Sequence, residues 1–164
     1  MPAMPNRWKP NVTVAAIIER DGRFLLVEET TTDGLKLNHP AGHLDPGESP
    51  EQACVREVRE ETAHEFVPTA LVGVYLNRFT KTRTGHDMTY LRFAFTGQLG
   101  THHAAQALDA GIVRTLWMSA DEIRACPERH RSPLLLRSLE DYLAGQRAPL
   151  HLVHTDASVL QAAT

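Results

Sequence analysis

Acidic side chains crowd into one short segment of this 164-residue chain, GHLDPGESPEQACVREVREETA at residues 42–63. Three of them, Glu57, Glu60 and Glu61, lie within five residues of one another. Like charges three or four residues apart on a helix repel. A hard divalent cation removes that repulsion, and Mg²⁺ in proteins is held by a few carboxylates together with phosphate oxygens. The crowding points to a Mg²⁺ or Mn²⁺ site, although a solvated charged face is the commoner meaning of such a run.

The acids are carried by a predicted helix over residues 50–62. Ser49 supplies an N-cap, Pro50 suits the first helical position, and Gln52 completes a capping box. At 100° per residue, the three glutamates named above share one face of this helix. By the same geometry Arg56 points elsewhere, and Glu48, just before the helix, lies near enough in sequence to close on the same site.

Other elements follow from hydrophobic patterning. Apolar, partly β-branched runs predict strands at residues 11–18, 23–29, 71–79, 88–99 and 112–118. Asp21-Gly22, between the first two runs, is a strong hairpin signal. A short helix is predicted from Ser119 to about residue 125, and a further helix opens at Ser132-Pro133 and is closed by Gly145. Strands in pairs with helices between them predict an α/β layered domain with a mixed sheet.

The spacing of the acidic segment resembles the Nudix box, Gly-x5-Glu-x7-Arg-Glu-U-x-Glu-Glu-x-Gly-U, where U is a bulky apolar residue. The matching residues here are Gly42, Glu48, Arg56, Glu57, Val58, Glu60 and Glu61. Two positions depart from the pattern, because Ala63 replaces the second Gly and His64 replaces the final apolar residue. A left-handed helix end at Ala63 costs on the order of 1 kcal/mol, so the helix either bears that strain or runs on by a turn.

Flanking stretches extend the resemblance to the NudJ-type Nudix phosphatases. They include KPNVTVAAIIERDGRFLLVEE, NHPAGHLDPGES, YLRFAFTGQL, LWMSADEI and RSPLL…YLAGQRAPL, and together they span residues 9–153. The resemblance implies a single domain over 9–153, with loose ends at 1–8 and 154–164. It also implies the Nudix fold, an α/β/α sandwich with a mixed sheet and the box as a loop-helix-loop.

The resemblance also implies roles for residues of the box. Glu57 and Glu61 are expected to bind the metal ion, Glu60 to be the third carboxylate, and the carbonyl of Ala41 or Gly42 to join them. Mg²⁺ is the expected cofactor, with Mn²⁺ as an alternative.

The expected catalytic residues are Glu57, Glu60 and Arg56. Arg56 is expected to pair with a box carboxylate and hold it in place, the alternative being a plain surface charge. Glu48 is expected to support the loop or a second ion. The general base stays open, with Glu57 preferred and Asp109 as a distal alternative.

The implied reaction is hydrolysis of a phosphate anhydride bond. NudJ-type enzymes are associated with release of orthophosphate from nucleoside di- and triphosphates, and from the pyrophosphate of the hydroxymethylpyrimidine precursor of thiamine. Two alternatives stay open: a pyrophosphatase acting on ADP-ribose or diadenosine polyphosphates, and a Nudix domain that senses a ligand without cleaving it.

Arg78, Tyr90 and His43 are the candidate substrate-binding residues. Arg78 lies beside a polar loop and can meet phosphates, Tyr90 can stack on a base, and His43 flanks the box. Weaker candidates for the same roles are Lys81, Arg83, Tyr75, Phe79 and His39. Solvated loop residues and packed strand aromatics are the competing interpretations.

Composition narrows the remaining classes. A net charge of −3 without a basic stripe argues against a nucleic-acid partner. No apolar run approaches the roughly 20 residues that span a bilayer, and the N-terminus lacks the apolar core of a secretory signal. Cys54 and Cys126 read as reduced thiols of a cytoplasmic protein, and adjacent His102 and His103 do not have zinc-ligand spacing. A small phosphorylated molecule is the expected partner, and a monomer and a homodimer both fit.

Overall fold

The computed structural model describes residues 7–81 and 83–161. Residues 1–6 and 162–164 of the predicted loose ends, and Thr82 of the polar loop, lie outside the described residues. The strands are β1 (Asn11–Ile17), β2 (Glu19–Arg20), β3 (Arg23–Thr31), β4 (Gly34–Asn38), β5 (Ala41–His43), β6 (His64–Thr80), β7 (Asp87–His102) and β8 (Ile112–Ser119). The α-helices are α1 (Pro50–Thr62), α2 (Ala120–Arg124), α3 (Leu134–Leu143) and α4 (Ala157–Leu160).

The strands form two sheets. The first has the order β5-β1-β7-β6, in which β1 and β7 are parallel and the other pairs are antiparallel. In the second sheet, β3 pairs antiparallel with β2, β4 and β8. The predicted mixed sheet is therefore confirmed.

The predicted hairpin turn is present, but its two apolar runs separate into different sheets. Asp21 and Gly22 have φ angles of 51° and 73°, as a tight two-residue hairpin turn requires. The turn joins β2 to β3, while β1 runs between β5 and β7 in the first sheet. The chain thus crosses from one sheet to the other around Ile18.

Two apolar cores lie on opposite faces of the first sheet because successive strand residues alternate in direction. One core joins Val14 and Ala16 of β1 to Ala53, Cys54 and Val58 of α1. The other joins Ile17 of β1 to side chains of the second sheet, α2 and α3: Phe24, Leu26, Leu37, Met118, Ile123, Leu135 and Leu139. Helices on both faces of the β layer give the predicted α/β/α sandwich.

Helix α1 has the predicted bounds. The Ser49 hydroxyl accepts from the Gln52 N–H at 3.1 Å, and the Gln52 side chain accepts from the Ser49 N–H at 2.8 Å. The helix ends at Ala63, whose φ of 58° and ψ of 21° are left-handed. The helix therefore bears the strain of a residue with a Cβ at this position instead of running on by a turn.

Other bounds were predicted less well. The sequence indicated strands at 71–79 and 88–99, but β6 and β7 are longer at both ends, and β6 has register shifts in its first half. Strands β4 and β5 were missed because they are short and because Pro40 and Gly42 lie in or next to them. Among the described residues no helix is long and apolar enough to cross a membrane.

Candidate active site

The acidic face of α1 lies against the short edge strand β5. Glu57 and Glu61 are buried, with 7% and 6% of their surface exposed. A Cβ at position 42 would overlap the Glu57 carboxylate, so glycine leaves the space that this carboxylate occupies beside β5. The Glu61 Oε2 accepts a hydrogen bond from the Ala41 N–H at 3.0 Å. Two buried carboxylates are thereby fixed against one stretch of backbone.

Strand alternation decides which backbone groups of β5 face the helix. Ala16 donates to the Pro40 carbonyl and Leu44 donates to the Val12 carbonyl, so Gly42, midway between them, turns its backbone groups toward β1. The N–H and carbonyl of Ala41 point the opposite way, toward α1. Of the two backbone carbonyls named from the sequence, that of Ala41 lies on the side of the carboxylates.

Arg56 joins the carboxylates to the preceding loop. Its guanidinium donates to Glu57 at 2.8 Å, to Glu60 at 3.1 Å, to Glu48 at 2.7 and 3.0 Å, and to the His43 carbonyl at 2.9 Å. These bonds raise the pKa of Arg56 and lower that of Glu48. Arg56 thus points toward the acids, contrary to the simple helix projection, because its long side chain bends along the helix surface. Glu48 supports the loop through this bond.

Glu60 differs from its two neighbours. Its side chain is 42% exposed and is turned toward Arg56. Among residues 7–81 and 83–161, no three His, Cys, Asp or Glu side chains are grouped closely enough to hold a metal ion in their present positions. Of the three box carboxylates on α1, those of Glu57 and Glu61 are the ones that lie against β5.

The electrostatics of the buried pair suit a cation. Burial raises the pKa of Glu61 to about 8, and the charge of Glu57 adds to that rise. Burial also raises the pKa of Glu57 despite its bond to Arg56. Two carboxylates in a low-dielectric site disfavour each other's charge, and a hard divalent ion with oxygen ligands removes that penalty. The donor set fits Mg²⁺ or Mn²⁺.

The loop between β7 and β8 closes over the carboxyl end of α1. The Gln106 amide donates to the Arg59 carbonyl at 2.8 Å, and the Asp109 N–H donates to the Glu60 carbonyl at 2.9 Å. The Glu60 carbonyl is one of those that a helix end leaves without a partner, whereas the Arg59 carbonyl also accepts from the Ala63 N–H. The loop bonds also place the exposed Asp109 close to the acidic face, where its charge contributes to the raised pKa of Glu57 and Glu61.

The structure separates the three candidate substrate-binding residues. The rings of His43 and Tyr90 lie 6.0 Å apart on one face of the first sheet, and Phe79 stacks on Tyr90 at 5.6 Å. Arg78 follows Asn77, the register partner of Tyr90, so its side chain is on the opposite face. It forms an exposed ion pair with Asp87 at 2.6 Å. Arg78 therefore does not share a face with the other two, and its role in substrate binding stays a prediction.

The weaker candidates are also dispersed. His39 is fully buried and its Nε2 is 3.2 Å from the Leu135 carbonyl on α3, so it packs in the core. The Tyr75 hydroxyl donates to Asp141 at 2.9 Å. Lys81 and Arg83 are exposed beside the turn at Gly85.

Sequence reasoning missed Arg92, a buried charge in the middle of β7. The signal was present, because YLRFAFTGQL carries one arginine in an apolar strand and alternation places it with inward-facing residues. Its partners could not be found from sequence, since they come from β1, β3 and the β4–β5 junction.

Comparison with known proteins agrees with this geometry. Residues 8–138 match the NUDIX domain family. The chain belongs to the Nudix family and is a Nudix hydrolase.

Particular relatives are similar over nearly the whole chain. The phosphatase NudJ of Escherichia coli strain K12 is 36% identical over 146 residues, which cover 89% of this chain and 92% of that protein. A NUDIX hydrolase from Nitrosomonas europaea is 52% identical with a TM-score of 0.83, covering 90% of this chain and 98% of that one. A MutT protein from Methanosarcina mazei Go1 is 25% identical with a TM-score of 0.62, covering 84% and 97% respectively.

Proposed function

We propose that this protein is a Mg²⁺-dependent phosphatase of the Nudix family, with Mn²⁺ as an alternative ion. Its proposed substrates are nucleoside di- and triphosphates or hydroxymethylpyrimidine pyrophosphate, from which it releases orthophosphate. The observation that carries the proposal is the buried pair Glu57 and Glu61, fixed against a glycine in β5. Similarity to the phosphatase NudJ supports the choice of substrate class.

The ion would be held by Glu57, Glu61 and the Ala41 carbonyl, with the more exposed Glu60 as the outer carboxylate. A divalent ion in such a site supplies charge for the phosphate oxygens and lowers the pKa of an attacking water. The chain's own contribution is to hold these donors still. Arg56 does so by bonding to Glu57 and Glu60 at once.

The proton of the attacking water needs an acceptor near this face. Glu57 is our first choice for the base because it is buried beside the ion site, and Glu60 is the second. Asp109 is the distal alternative, held nearby through its bond to the Glu60 carbonyl. The variants Glu57→Gln, Glu60→Gln and Asp109→Asn distinguish them, because loss of the base removes the acidic limb of the pH–rate profile.

The substrate's ring would lie over the face that carries His43 and Tyr90. Tyr90 is half-buried and already stacks with Phe79, so the two rings present a fixed apolar surface. The free thiols of Cys54 and Cys126 are compatible with the reducing cytoplasm, which we propose as the location.

The test is release of phosphate or pyrophosphate with Mg²⁺ across a panel of substrates. The panel contains nucleoside di- and triphosphates, hydroxymethylpyrimidine pyrophosphate, ADP-ribose and diadenosine polyphosphates. Orthophosphate from the first two groups supports the proposal. Turnover of ADP-ribose or diadenosine compounds alone would replace the phosphatase with a pyrophosphatase. Absence of all turnover, with Mg²⁺ bound, would favour a ligand-sensing domain.

A further inference from the structure

Arg92 is a buried cation without a counter-ion. Only 8% of its surface is exposed, yet no carboxylate oxygen lies within 4.0 Å of its guanidinium among residues 7–81 and 83–161. Its one hydrogen bond, from Nη1 to the Asn38 Oδ1, is long at 3.4 Å, and its Nε is buried with no partner. Burying an ion without compensation costs several kcal/mol. The question is therefore which group neutralises the buried charge of Arg92.

The position of Arg92 relates it to the proposed substrate face. In the register of the first sheet, Arg92 is beside Thr13 of β1, and Thr13 is beside His43 of β5. Tyr90 precedes Arg92 by two residues on the same strand and therefore shares its face. The cation thus lies on the same face of the sheet as Tyr90 and His43, two residues along β7 from Tyr90 and two strands from His43.

Arg92 is also close to the carboxylate pair of α1, Glu57 and Glu61. Asn38 contacts Arg92, and Ala41, three residues further on, contacts Glu61. Three residues of extended chain span at most about 11 Å. Glu61 and Glu29 are near enough to favour the charged form of Arg92, although burial is the larger effect and lowers its pKa to about 10. Arg92 therefore remains a cation at neutral pH.

Unpartnered polar atoms collect around this cation. Four buried side-chain atoms lack a hydrogen-bond partner in the described part of the chain, namely Thr13 Oγ1, Glu29 Oε1, His39 Nδ1 and Arg92 Nε. Thr13 neighbours Arg92 in register, and Glu29 and His39 are close enough for their pKa values to respond to its charge. Native proteins leave few such atoms, and a cluster of them indicates a place that ordered water or a polar ligand completes. The Glu29 Oε1 also lies 3.4 Å from the Arg131 Nε.

We propose that Arg92 binds an anionic phosphate oxygen of the substrate and that this oxygen is its missing counter-ion. This inference rests on the proposed function and names a binding residue for that same site. The ring would then lie over Tyr90 and His43 while its phosphates extend between Arg92 and the carboxylates of α1. A planar guanidinium suits this role because it forms paired, charge-assisted bonds to phosphate oxygens.

The proposal and a purely structural role predict opposite effects on stability. Arg92→Met fills the same space without a charge. If Arg92 serves the ligand, its removal relieves an uncompensated buried cation, so Tm stays equal or rises. If Arg92 instead stabilises the fold, Tm falls by several degrees.

The experiment measures inorganic pyrophosphate binding to the full chain by calorimetry with Mg²⁺, together with Tm. We expect Arg92→Met to weaken binding by about 10- to 100-fold, the range of a lost charge-assisted bond. The matched control is Arg23→Met. It removes a half-exposed arginine at the start of β3, where Arg23 is paired with Glu122. It should bind as the wild type does.

Equal affinity of wild type and Arg92→Met for pyrophosphate overturns the inference, as does weaker binding that merely follows a fall in Tm. If Arg92→Met does not fold, Arg92→Lys replaces it; a retained Tm with weaker binding supports the inference, and wild-type affinity overturns it. The hydrolytic function is tested separately by wild-type turnover of the substrate panel. If the wild type hydrolyses nothing but Arg92→Met binds pyrophosphate more weakly than the wild type does, the Arg92 inference holds and the proposed enzymatic function is wrong.

Discussion

The two faces of the first sheet differ in how well their buried charged groups are hydrogen-bonded. On the side of α1, the acids at 48, 57, 60 and 61 each have a partner, mostly Arg56 or a backbone N–H. On the other face, Arg92 and its neighbours have four buried polar atoms without a hydrogen-bond partner among the residues that the structure describes. The first group comes from one stretch of about twenty residues, and the second comes from separate strands.

This difference separates two kinds of functional side chain. Groups contributed by one continuous segment can satisfy one another, so their pairing depends on the spacing of residues and recurs as a sequence pattern. Groups contributed by distant strands are brought together by the fold. Their unpaired buried atoms cost free energy, and a bound ligand that hydrogen-bonds to them offsets this cost. The comparison therefore assigns the α1 side to the ion and the Arg92 side to the substrate.

The largest effect should follow from Glu61→Gln. The variant keeps the acceptor for the Ala41 N–H but loses one of the two buried charges proposed to hold the ion. We expect turnover with Mg²⁺ to fall by about 10³-fold, equivalent to about 4 kcal/mol of transition-state stabilisation. Because the lost carboxylate is buried, Tm should be equal or higher. Phosphate release and a thermal melt measure the two results.

Glu51→Gln is the matched control, because Glu51 lies on the first turn of the same helix, away from the buried pair. It should leave turnover within about twofold of wild type. Equal losses of turnover in Glu61→Gln and Glu51→Gln would show that activity depends on the total charge of the helix. The buried carboxylates would then have no special role.

The next largest effect is the loss of stability at acid pH that is expected from His39, a neighbour of Arg92. Burial lowers the pKa of His39 to about 3 in the folded chain, with Arg92 and His130 adding to the shift. The unfolded chain binds a proton near pH 6.5, so below that pH it binds more protons than the folded chain. Stability should therefore fall as the pH drops, by about 2.3 kcal/mol between pH 6.5 and 4.5 from this group alone.

The measurement is urea unfolding at pH 7, 5.5 and 4.5 for wild type and His39→Gln. The neutral glutamine has no proton to gain in the unfolded state, so the variant should lose less stability over the same range. Parallel curves for the two proteins would mean that His39 binds its proton as readily in the folded chain as in the unfolded one.

A smaller effect is expected from Arg56→Met. The variant leaves Glu48 and Glu57, which are mostly buried, without their shared cation. A fully buried pair would lose more, but the Arg56 side chain is 27% exposed, so we expect a loss of about 2 kcal/mol in the free energy of unfolding. Arg59→Met, with a more exposed side chain, should cost less than about 1 kcal/mol. Denaturant unfolding of both variants checks the difference.

The same contrast explains what could be predicted from sequence. The bounds of α1, its capping box and the turn at Asp21-Gly22 follow from local chemistry, and each was predicted. The placement of β1 between β5 and β7 depends on pairings between distant residues, which hairpin signals do not contain.

The candidate site divides in the same way. The acids of the box were found from their spacing, whereas the bend of Arg56 toward them depends on a side-chain conformation that a helix projection does not include. Arg78 was proposed from its place beside a polar loop and Tyr90 from its ring, and strand alternation places the two on opposite faces. Arg92 was missed because its meaning depends on neighbours from other strands.

The smallest predicted effect tests one of the two positions that depart from the family pattern, Ala63 at the end of α1. Its left-handed conformation costs an alanine about 1 to 2 kcal/mol, and glycine adopts it freely. Ala63→Gly also removes a buried methyl group worth about 0.8 kcal/mol, so the net gain should be about 0.5 kcal/mol. Ala144→Gly is the matched control, because the exposed Ala144 ends α3 at φ −72° and should lose about 0.5 to 1 kcal/mol. Opposite signs for the two variants in urea unfolding would show that the strain at Ala63 is real, whereas a loss in both would mean that packing around Ala63 outweighs its backbone strain.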